Sequence, residues 1–418
     1  MPKQPEWFEA GLNHTWLPYT QMQIAPLPQA VTSTEGCRIK LADGTELIDG
    51  IASWWSMCHG YNHPHIVGSV EKQLRHMPHV MFGGLVHEGA LKLASRLCKL
   101  TGMDRVFYGD SGSIAVEIAL KMALQFWRNS GKPHKDRFIC FSDGYHGDTL
   151  GAMSVSDPER SMHKAFKNSV IKQYVIDIPS DEYGFAEFDS LLSGIAGNVA
   201  AIIIEPLVQG AGGMRFHSAD TLAELHRIAK KHDVLFIADE VATGFLRTGN
   251  MFACDEAGIK PDILCLGKAL TAGTMTMGVA LASEAIFEAF LSDDMDSAFM
   301  HGPTFMANPL ACAAANASLD LFEQEPRAAQ VEAIEVQLRE ELSACEDKAG
   351  VVDVRVKGAI GVVQIEPERM DYYGLREQFI KRGCWIRPFG DIIYLAPSLT
   401  ISGEELSTLT QSIAEVLG

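Results

Sequence analysis

Short apolar runs alternate along the chain with stretches in which apolar residues recur every three or four positions. The runs predict strands buried on both faces, and the stretches between them predict helices with one buried side, as in an α/β domain with a largely parallel sheet. The predicted strands are RVFYG (105–109), RFICFS (137–142), AAIIIEP (200–206), VLFIADE (234–240), DILCLG (262–267) and MGVALAS (277–283). The helical stripes are Ala115, Ile118, Ala119, Met122 and Phe126, and Leu222, Leu225, Ile228 and Ala229.

The pattern changes after residue 325, where a charged amphipathic helix precedes two alternating segments and a last helix. This part predicts a smaller α+β domain. Near the other end, LADGTELIDG is typical of a β-hairpin. We therefore expect a large domain over 56–320 and a small domain over 321–418, which the segment 1–55 joins.

Composition limits the kind of protein. The 418 residues are 47% hydrophobic and carry 53 Asp and Glu against 35 Lys and Arg, a net charge of −18. Such a charge disfavours binding to nucleic acid or to an anionic membrane. The nine cysteines are scattered without a C-x-x-C pair, and we see neither a signal peptide nor a membrane-spanning run. We expect a soluble cytoplasmic protein with reduced thiols.

One carboxylate and one lysine each close a predicted strand. Asp239 ends VLFIAD, and Lys268 follows DILCLG directly after Gly267. Functional groups gather at the carboxyl ends of strands in open α/β sheets, so both side chains can face one crevice. The lysine is a candidate Schiff-base nucleophile, and the aspartate suits a pyridinium nitrogen. The alternatives are a surface lysine and a helix-capping aspartate.

The segment GDSGSIAVEIALKMALQFW (109–127) enters a long helix through small residues. The backbone N–H groups of Gly112 and Ser113, with the Ser113 hydroxyl, form a candidate phosphate cradle. An ordinary serine cap is the alternative. GDSG also resembles a serine-protease nucleophile segment, but it opens a helix here. Neither dinucleotide nor P-loop fingerprint is complete.

Aromatic residues stand in polar turns: Tyr19, Trp54, Trp55 and Tyr145. Such side chains can stack on a flat cofactor or wall a substrate slot, with local packing as the alternative. The histidines of HGYNHPH and HMPH suggest a metal site only weakly, because Pro and Gly break the helical spacing of ligands. We expect no metal.

Two arginines are candidates for binding a carboxylate through the planar guanidinium group. Arg387 lies where a strand enters a turn in CWIRPFGDIIYL, and Arg247 follows Asp239 closely in TGFLRTG. A surface salt bridge is the alternative for each.

Together these residues resemble the class III aminotransferases of fold type I, which use pyridoxal 5′-phosphate. VLFIADEVATGFLRTG, DILCLGKALTAG and AAIIIEPLVQGAGG resemble the segments around the cofactor aspartate and lysine of that family. The resemblance spans essentially the whole chain. It implies a large domain with a mainly parallel seven-stranded sheet flanked by helices, a smaller α+β domain, and a homodimer.

Within the family, five separated blocks resemble the diaminopelargonate synthases of biotin synthesis. The blocks are WLPYTQM, SWWSMCHGYNHP, HVMFGGLVHE, MHGPTFMANPLACAAANASL and WIRPFGDIIYL. This resemblance implies transfer of the amino group of S-adenosyl-L-methionine to 8-amino-7-oxononanoate. Another ω-amino acid transaminase, or lysine as the amino donor, remains the alternative.

The resemblance also assigns roles to individual residues. It makes Lys268 the lysine that binds the cofactor covalently, Asp239 the partner of its ring nitrogen, and Tyr145 the residue stacked on the ring. It implies phosphate binding by Gly112, Ser113 and, from the partner subunit, Pro303 and Thr304. The substrate positions are Tyr19, Trp54, Tyr145, Lys268, Gly302, Arg387 and Arg247. Tyr19 also counts among the catalytic residues, with Lys268, Asp239 and Tyr145. One position departs from the family: Leu246 stands where we expect glycine, next to Arg247.

Overall fold

The computed structural model describes residues 5–418, which form two compact units. The smaller unit combines both ends of the chain, up to Pro64 and from Ala329 onward. The larger unit is His65–Ala328. The division into functional domains at residues 55 and 320 stays a prediction.

Between residues 5 and 418, helices and strands alternate along much of the chain. The helices are α1 (Glu6–Leu12), α2 (Ala52–Trp55), α3 (Pro64–His76), α4 (Glu88–Thr101), α5 (Gly112–Asn129), α6 (Leu150–Ser154), α7 (Glu182–Ile195), α8 (Ala219–Lys231), α9 (Ala253–Glu256), α10 (Glu284–Glu288), α11 (Pro309–Gln324), α12 (Arg327–Leu342), α13 (Tyr372–Lys381) and α14 (Gly403–Leu417). The strands are β1 (Val31–Glu35), β2 (Arg38–Leu41), β3 (Glu46–Asp49), β4 (Arg105–Gly109), β5 (Arg137–Phe141), β6 (Tyr174–Ile176), β7 (Val199–Ile204), β8 (Val208–Gln209), β9 (Arg215–Phe216), β10 (Leu235–Asp239), β11 (Ile263–Leu266), β12 (Gly278–Ala282), β13 (Val351–Lys357), β14 (Ile360–Ile365), β15 (Cys384–Trp385) and β16 (Ile392–Leu395).

A seven-stranded sheet forms the centre of the larger unit, in the order β4-β12-β11-β10-β7-β5-β6. Strand β12 runs antiparallel to both its neighbours, whereas the pairs from β11 to β6 are parallel. The predicted α/β class, with a mainly parallel seven-stranded sheet, is confirmed. The six strands expected from the apolar runs all belong to this sheet. Strand β6 has only three residues, too few for an apolar run to stand out.

The core of the larger unit lies between this sheet and its helices. All six residues of β7 and all five of β10 are buried, because each strand is covered on both faces. Helix α5 buries most of its predicted stripe against the sheet, and α8 buries the whole of its own. Burying each large aliphatic side chain contributes about 1.5–3 kcal/mol, so these two stripes fix the helices on the strands.

The smaller unit contains two further sheets. The predicted hairpin is present as β2 and β3, which belong to the sheet β1-β2-β3-β15. Strand β15, from the other end of the chain, pairs with β3 in parallel. The alternating segments form the antiparallel sheet β13-β14-β16. Across residues 5–418, the helices are too short or too polar to span a bilayer.

Candidate active site

Three ionisable side chains stand at the carboxyl ends of three neighbouring parallel strands in the larger unit. Glu205 directly follows β7, Asp239 ends β10, and Lys268 follows β11 after Gly267. The strands lie side by side in the order β11-β10-β7, and Asp239 is in register with Cys265 of β11. The structure therefore brings Asp239 and Lys268 to one edge of the sheet, where open α/β sheets hold their ligands.

Asp239 is fixed by a buried hydrogen bond to His146. The His146 Nδ1 lies 2.7 Å from Asp239 Oδ2, and both residues are about 95% buried. The other oxygen, Oδ1, accepts a hydrogen bond from the backbone N–H of Val241 at 3.1 Å. Burial opposes protonation of His146, but the hydrogen bond and the charge of Asp239, with the charge of Glu205, outweigh it and raise the pKa of the imidazole. The paired aspartate is not the cap of a helix, which was the alternative.

Glu205 connects this pair to the chain around Tyr145. Its two carboxylate oxygens accept hydrogen bonds from the backbone N–H groups of Tyr145 at 3.0 Å and Gly210 at 2.9 Å. Burial is the main cause that raises the pKa of Glu205 to about 7. Neither Glu205 nor His146 was among the residues predicted from the sequence. Their place after strands is the feature that could have identified them, since Glu205 directly follows β7 and His146 lies in the loop after β5.

Lys268 opens a short 3₁₀ helix, Lys268–Thr271, and its side chain is partly buried. Burial lowers the pKa of its amine below the ordinary 10.5, against the charges of Asp239 and Glu205, and the charge of Arg247 lowers it further. Such a shift increases the fraction of neutral amine, which is the form that attacks a carbonyl carbon. A solvent-exposed lysine, the alternative, does not fit this environment.

The start of α5 lies against the turn that carries Lys268. A Cβ atom on Gly112 would stand 2.7 Å from Val241 Cγ1, and one on Gly267 would stand 3.2 Å from the same atom and 3.6 Å from the Gly112 Cα. These two glycines therefore permit the close approach of α5 to the strand ends. The helix presents its first N–H groups at this edge, and such groups have no partner within the helix.

Ser111, rather than Ser113, caps this helix. The Ser111 Oγ accepts a hydrogen bond from the Ile114 N–H at 3.4 Å. The Ser113 Oγ accepts one from the Asp148 N–H at 3.2 Å, so its own proton remains available to donate. The helix cap is therefore Ser111, and Ser113 remains the candidate phosphate donor.

Tyr145 belongs to a small polar cluster in the loop after β5. Its ring stacks on the ring of His163, with centroids 5.6 Å apart and an angle of 24°. The Tyr145 hydroxyl donates to Asp148 Oδ1 at 3.0 Å, and the same oxygen lies 2.8 Å from His163 Nε2. Asp148 and His163 hold the tyrosine ring in place. Neither was a candidate in the sequence analysis.

Arg247 and Leu246 lie in the buried turn after Asp239. Arg247 is 2% exposed, and its charge acts on Lys268. Leu246 has φ of 67°, in the left-handed region that favours glycine. The glycine that we expected at this position would adopt this conformation without strain. The chain has leucine here, and its side chain is buried.

The segment around Gly302, Pro303 and Thr304 lies at the surface of the larger unit. Gly302 and Thr304 are exposed, Pro303 is half-buried, and Phe305 next to them is 56% exposed. The Pro303 carbonyl accepts a hydrogen bond from the Met306 N–H at 3.0 Å, which closes a turn.

The smaller unit brings three of the predicted substrate residues together. The Arg387 guanidinium lies 4.5 Å from the centre of the Trp54 ring. The edge of the Tyr19 ring meets the same indole, with centroids 6.0 Å apart and an angle of 84°. Burial is the main cause that lowers the pKa of Arg387. Its guanidinium is partly desolvated, which strengthens its attraction for a carboxylate.

The family model described as "Aminotransferase class-III" matches residues 19–417. A relative from Corynebacterium glutamicum, the adenosylmethionine-8-amino-7-oxononanoate aminotransferase, is 42% identical over 98% of this chain and 98% of its own.

Two solved structures have the same fold. The adenosylmethionine-8-amino-7-oxononanoate aminotransferase of Methanocaldococcus jannaschii has a TM-score of 0.93 and 31% identity, over 99% of this chain and 98% of that one. An amine transaminase from an uncultivated Pseudomonas species, in the PLP-bound (internal aldimine) form, has a TM-score of 0.91 and 29% identity, over 100% and 99%. On the sequence match and on this fold, the chain belongs to the class III aminotransferase family.

Proposed function

We propose that this chain is the pyridoxal phosphate-dependent aminotransferase that moves the amino group of S-adenosyl-L-methionine to 8-amino-7-oxononanoate, forming 7,8-diaminononanoate. The relatives named above for this reaction support it over nearly the full length of the chain. The observation that carries it is chemical: a lysine with a lowered pKa and a hydrogen-bonded aspartate end two adjacent strands.

The residues present fit pyridoxal phosphate. The first turn of α5 offers N–H groups and the Ser113 hydroxyl for a phosphate, in a cradle that a Cβ on Gly112 would disturb. Asp239 offers a fixed anion for a protonated ring nitrogen, and Lys268 offers the amine for the aldehyde. When bound, the cofactor supplies an electron sink and carries the amino group between two substrates.

The proton transfers fall to Lys268. Its neutral amine would take a proton from the Cα of the amino donor and deliver it to the C4′ carbon of the cofactor. In the second half-reaction the same amine would carry a proton in the opposite direction. Asp239 would keep a proton on the ring nitrogen of the bound cofactor, because His146 orients the carboxylate and stabilises its charge. Tyr145, held by Asp148 and His163, would cover one face of the cofactor ring.

The substrates use the residues of the smaller unit. We assign the terminal carboxylate of 8-amino-7-oxononanoate to Arg387, and its apolar chain to the rings of Tyr19 and Trp54. Gly302 and Arg247, which belong to the larger unit, are the other two proposed substrate positions. Because both substrates exchange with one cofactor in turn, the kinetics are of the ping-pong type.

We further propose a homodimer in which Pro303 and Thr304 reach the phosphate of the partner subunit's cofactor. The exposure of Thr304 and Phe305 supports this, since a surface segment is free to enter another subunit. We also place the enzyme in the cytoplasm, where its reduced cysteines and its small-molecule substrates belong.

A donor comparison tests the function. Purified enzyme loaded with pyridoxal phosphate is given 8-amino-7-oxononanoate together with S-adenosyl-L-methionine, lysine, ornithine or 4-aminobutyrate, and 7,8-diaminononanoate is measured. If 7,8-diaminononanoate forms with S-adenosyl-L-methionine and with none of the other three donors, the proposal is supported. If it forms with lysine and not with S-adenosyl-L-methionine, lysine is the amino donor of this enzyme. A parallel assay offers ornithine and 4-aminobutyrate with other keto acids as amino acceptors. If these donors are converted there while 8-amino-7-oxononanoate is not converted with any donor, the proposed function is refuted.

A further inference from the structure

The backbone of the smaller unit contains a left-handed helical turn without glycine. In α2, Ala52, Ser53, Trp54 and Trp55 have φ values of 45°, 49°, 64° and 71°. Ser53 and Trp54 have ψ of 51° and 52°, so both lie in the left-handed helical region. For residues with a Cβ atom this conformation is unfavourable, because the Cβ crowds the following carbonyl oxygen. A turn of this kind persists only where its surroundings hold it.

The carboxylate of Asp49 holds this turn. Asp49 is the last residue of β3 and is 1% exposed. Its Oδ1 accepts a hydrogen bond from the Ile51 N–H at 3.0 Å, and its Oδ2 accepts one from the Ser53 N–H at 2.8 Å. The Tyr61 hydroxyl donates to Oδ2 at 2.7 Å. One buried side chain therefore bonds the residue before the turn and a residue inside it, and Tyr61 fixes that side chain.

The turn decides where Trp54 lies. Its neighbour Trp55 is buried and packs against Tyr394, with ring centroids 6.3 Å apart, so it anchors the end of the turn. Trp54 is 43% exposed, and its indole is the surface on which the Arg387 guanidinium rests at 4.5 Å. If residues 52–55 relaxed to ordinary φ values, Trp54 would leave this position and Arg387 would lose its stacking partner.

We propose that Asp49 is a positioning residue for the substrate: it holds the left-handed turn that stacks Trp54 on Arg387, and thereby sets the affinity for the substrate carboxylate. This inference rests on the proposed function, in which Arg387 binds that carboxylate. Asp49 itself touches no substrate and acts through Trp54.

Steady-state kinetics of Asp49→Ala provide the first test, with saturating amino donor. We expect the KM for 8-amino-7-oxononanoate to rise about tenfold and kcat to stay within about twofold, because an oriented guanidinium contributes to binding while Lys268 is unchanged. Asp43→Ala is the matched control. Asp43 also accepts a backbone hydrogen bond, from Thr45 at 2.9 Å, but it lies in the exposed β2–β3 turn, and its variant should keep the wild-type KM.

A rescue separates positioning from general stability. Glycine adopts the φ of residue 53 without strain, so Ser53→Gly added to Asp49→Ala should recover much of the lost affinity. Tyr61→Phe keeps both backbone hydrogen bonds of Asp49 and is the milder variant if Asp49→Ala does not fold. It should raise KM in the same direction by a smaller factor. A KM that stays at the wild-type value in both Asp49→Ala and Tyr61→Phe overturns the proposal. So does a raised KM in Asp49→Ala that the addition of Ser53→Gly does not lower.

A fluorescence measurement tests the turn independently of the reaction. Subtracting the emission of a matched Trp54→Phe variant isolates Trp54 in each background, and acrylamide quenching then reports its exposure. We expect Trp54 to be more easily quenched in Asp49→Ala, and to return towards wild type with Ser53→Gly. If the enzyme does not convert 8-amino-7-oxononanoate, the proposed function fails while this measurement still decides the role of Asp49. Equal quenching in wild type and Asp49→Ala contradicts that role.

Discussion

Replacing Gly112 with alanine is expected to weaken cofactor binding, although the same change usually stabilises a helix. Gly112 is the first residue of α5, and alanine there gains up to about 1 kcal/mol of helix propensity. Against this, the new Cβ would stand 2.7 Å from Val241 Cγ1 and 3.4 Å from Val241 Cγ2. Valine is branched at Cβ and cannot rotate away freely.

Overpacking of this kind costs typically 1–3 kcal/mol. Taking the middle of that range, about 2 kcal/mol, and subtracting a propensity gain of up to about 1 kcal/mol leaves a net cost of about 1–2 kcal/mol. The clash is avoided if the first turn of α5 moves away from Val241, but this also moves the N–H groups of Gly112 and Ser113. If the net cost appears as weaker phosphate binding, the Kd for pyridoxal phosphate rises about 5- to 30-fold.

Titration of the apoenzyme with pyridoxal phosphate, followed by absorbance, measures this Kd. The matched control is the double variant Gly112→Ala/Val241→Ala, which removes both methyl groups that the new Cβ meets and should bind the cofactor more tightly than Gly112→Ala alone. Gly68→Ala is a second control, because a Cβ there meets nothing within 4 Å and α3 carries no predicted site residue. Wild-type affinity in Gly112→Ala, or no recovery in the double variant, would refute the reasoning.

Two further changes probe the substrate anchor and the buried carboxyl. Arg387→Ala is expected to raise the KM for 8-amino-7-oxononanoate about 10- to 150-fold, because a charged hydrogen-bond partner worth about 1.5–3 kcal/mol is lost. Arg387→Lys should recover only part of this, since an ammonium lacks the planar fork, and an unchanged KM in both variants would remove Arg387 from the site. Glu205, whose pKa burial raises to about 7, makes the folded chain bind one more proton than the unfolded chain between pH 4.5 and 7. Its contribution to stability is therefore present below pH 4.5 and lost as pH rises through 7, by at most about 1.4 kcal/mol per pH unit. Urea unfolding between pH 4.5 and 8 should show a shallower decline in Glu205→Gln, and an identical pH dependence would contradict the assigned pKa.

The apolar runs predicted the strands of the large sheet because those strands are buried on both faces, so each reads as a continuous apolar segment. The same rule placed Asp239 and Lys268 at one edge, since parallel strands end together. Strand β6 was not predicted, because its three half-buried residues are too few to form a hydrophobic pattern.

His146, Glu205 and Asp49 were not predicted from the sequence. Each acts through a partner distant in the chain or through backbone groups: His146 bonds Asp239, Glu205 bonds the N–H of Tyr145, and Asp49 holds a turn of unusual φ values. Local patterns report burial and turns, but they do not report which strand ends become neighbours. Nor does any apolar or polar pattern mark a left-handed turn built from Ala, Ser and two Trp residues.

Separate half-reactions of wild type and Lys268→Ala test the central claim most directly. The enzyme loaded with pyridoxal phosphate is mixed with S-adenosyl-L-methionine, and after removal of the donor, with 8-amino-7-oxononanoate, while absorbance follows the cofactor and borohydride reduction traps what is bound to the chain. The wild type should lose and then regain the absorbance of the pyridoxal form, release 7,8-diaminononanoate, and carry the trapped cofactor on the peptide that contains Lys268. Lys268→Ala should trap no cofactor and lose both half-reactions. Trapping on another lysine, or a Lys268→Ala variant that completes both half-reactions at the wild-type rate, would contradict the account.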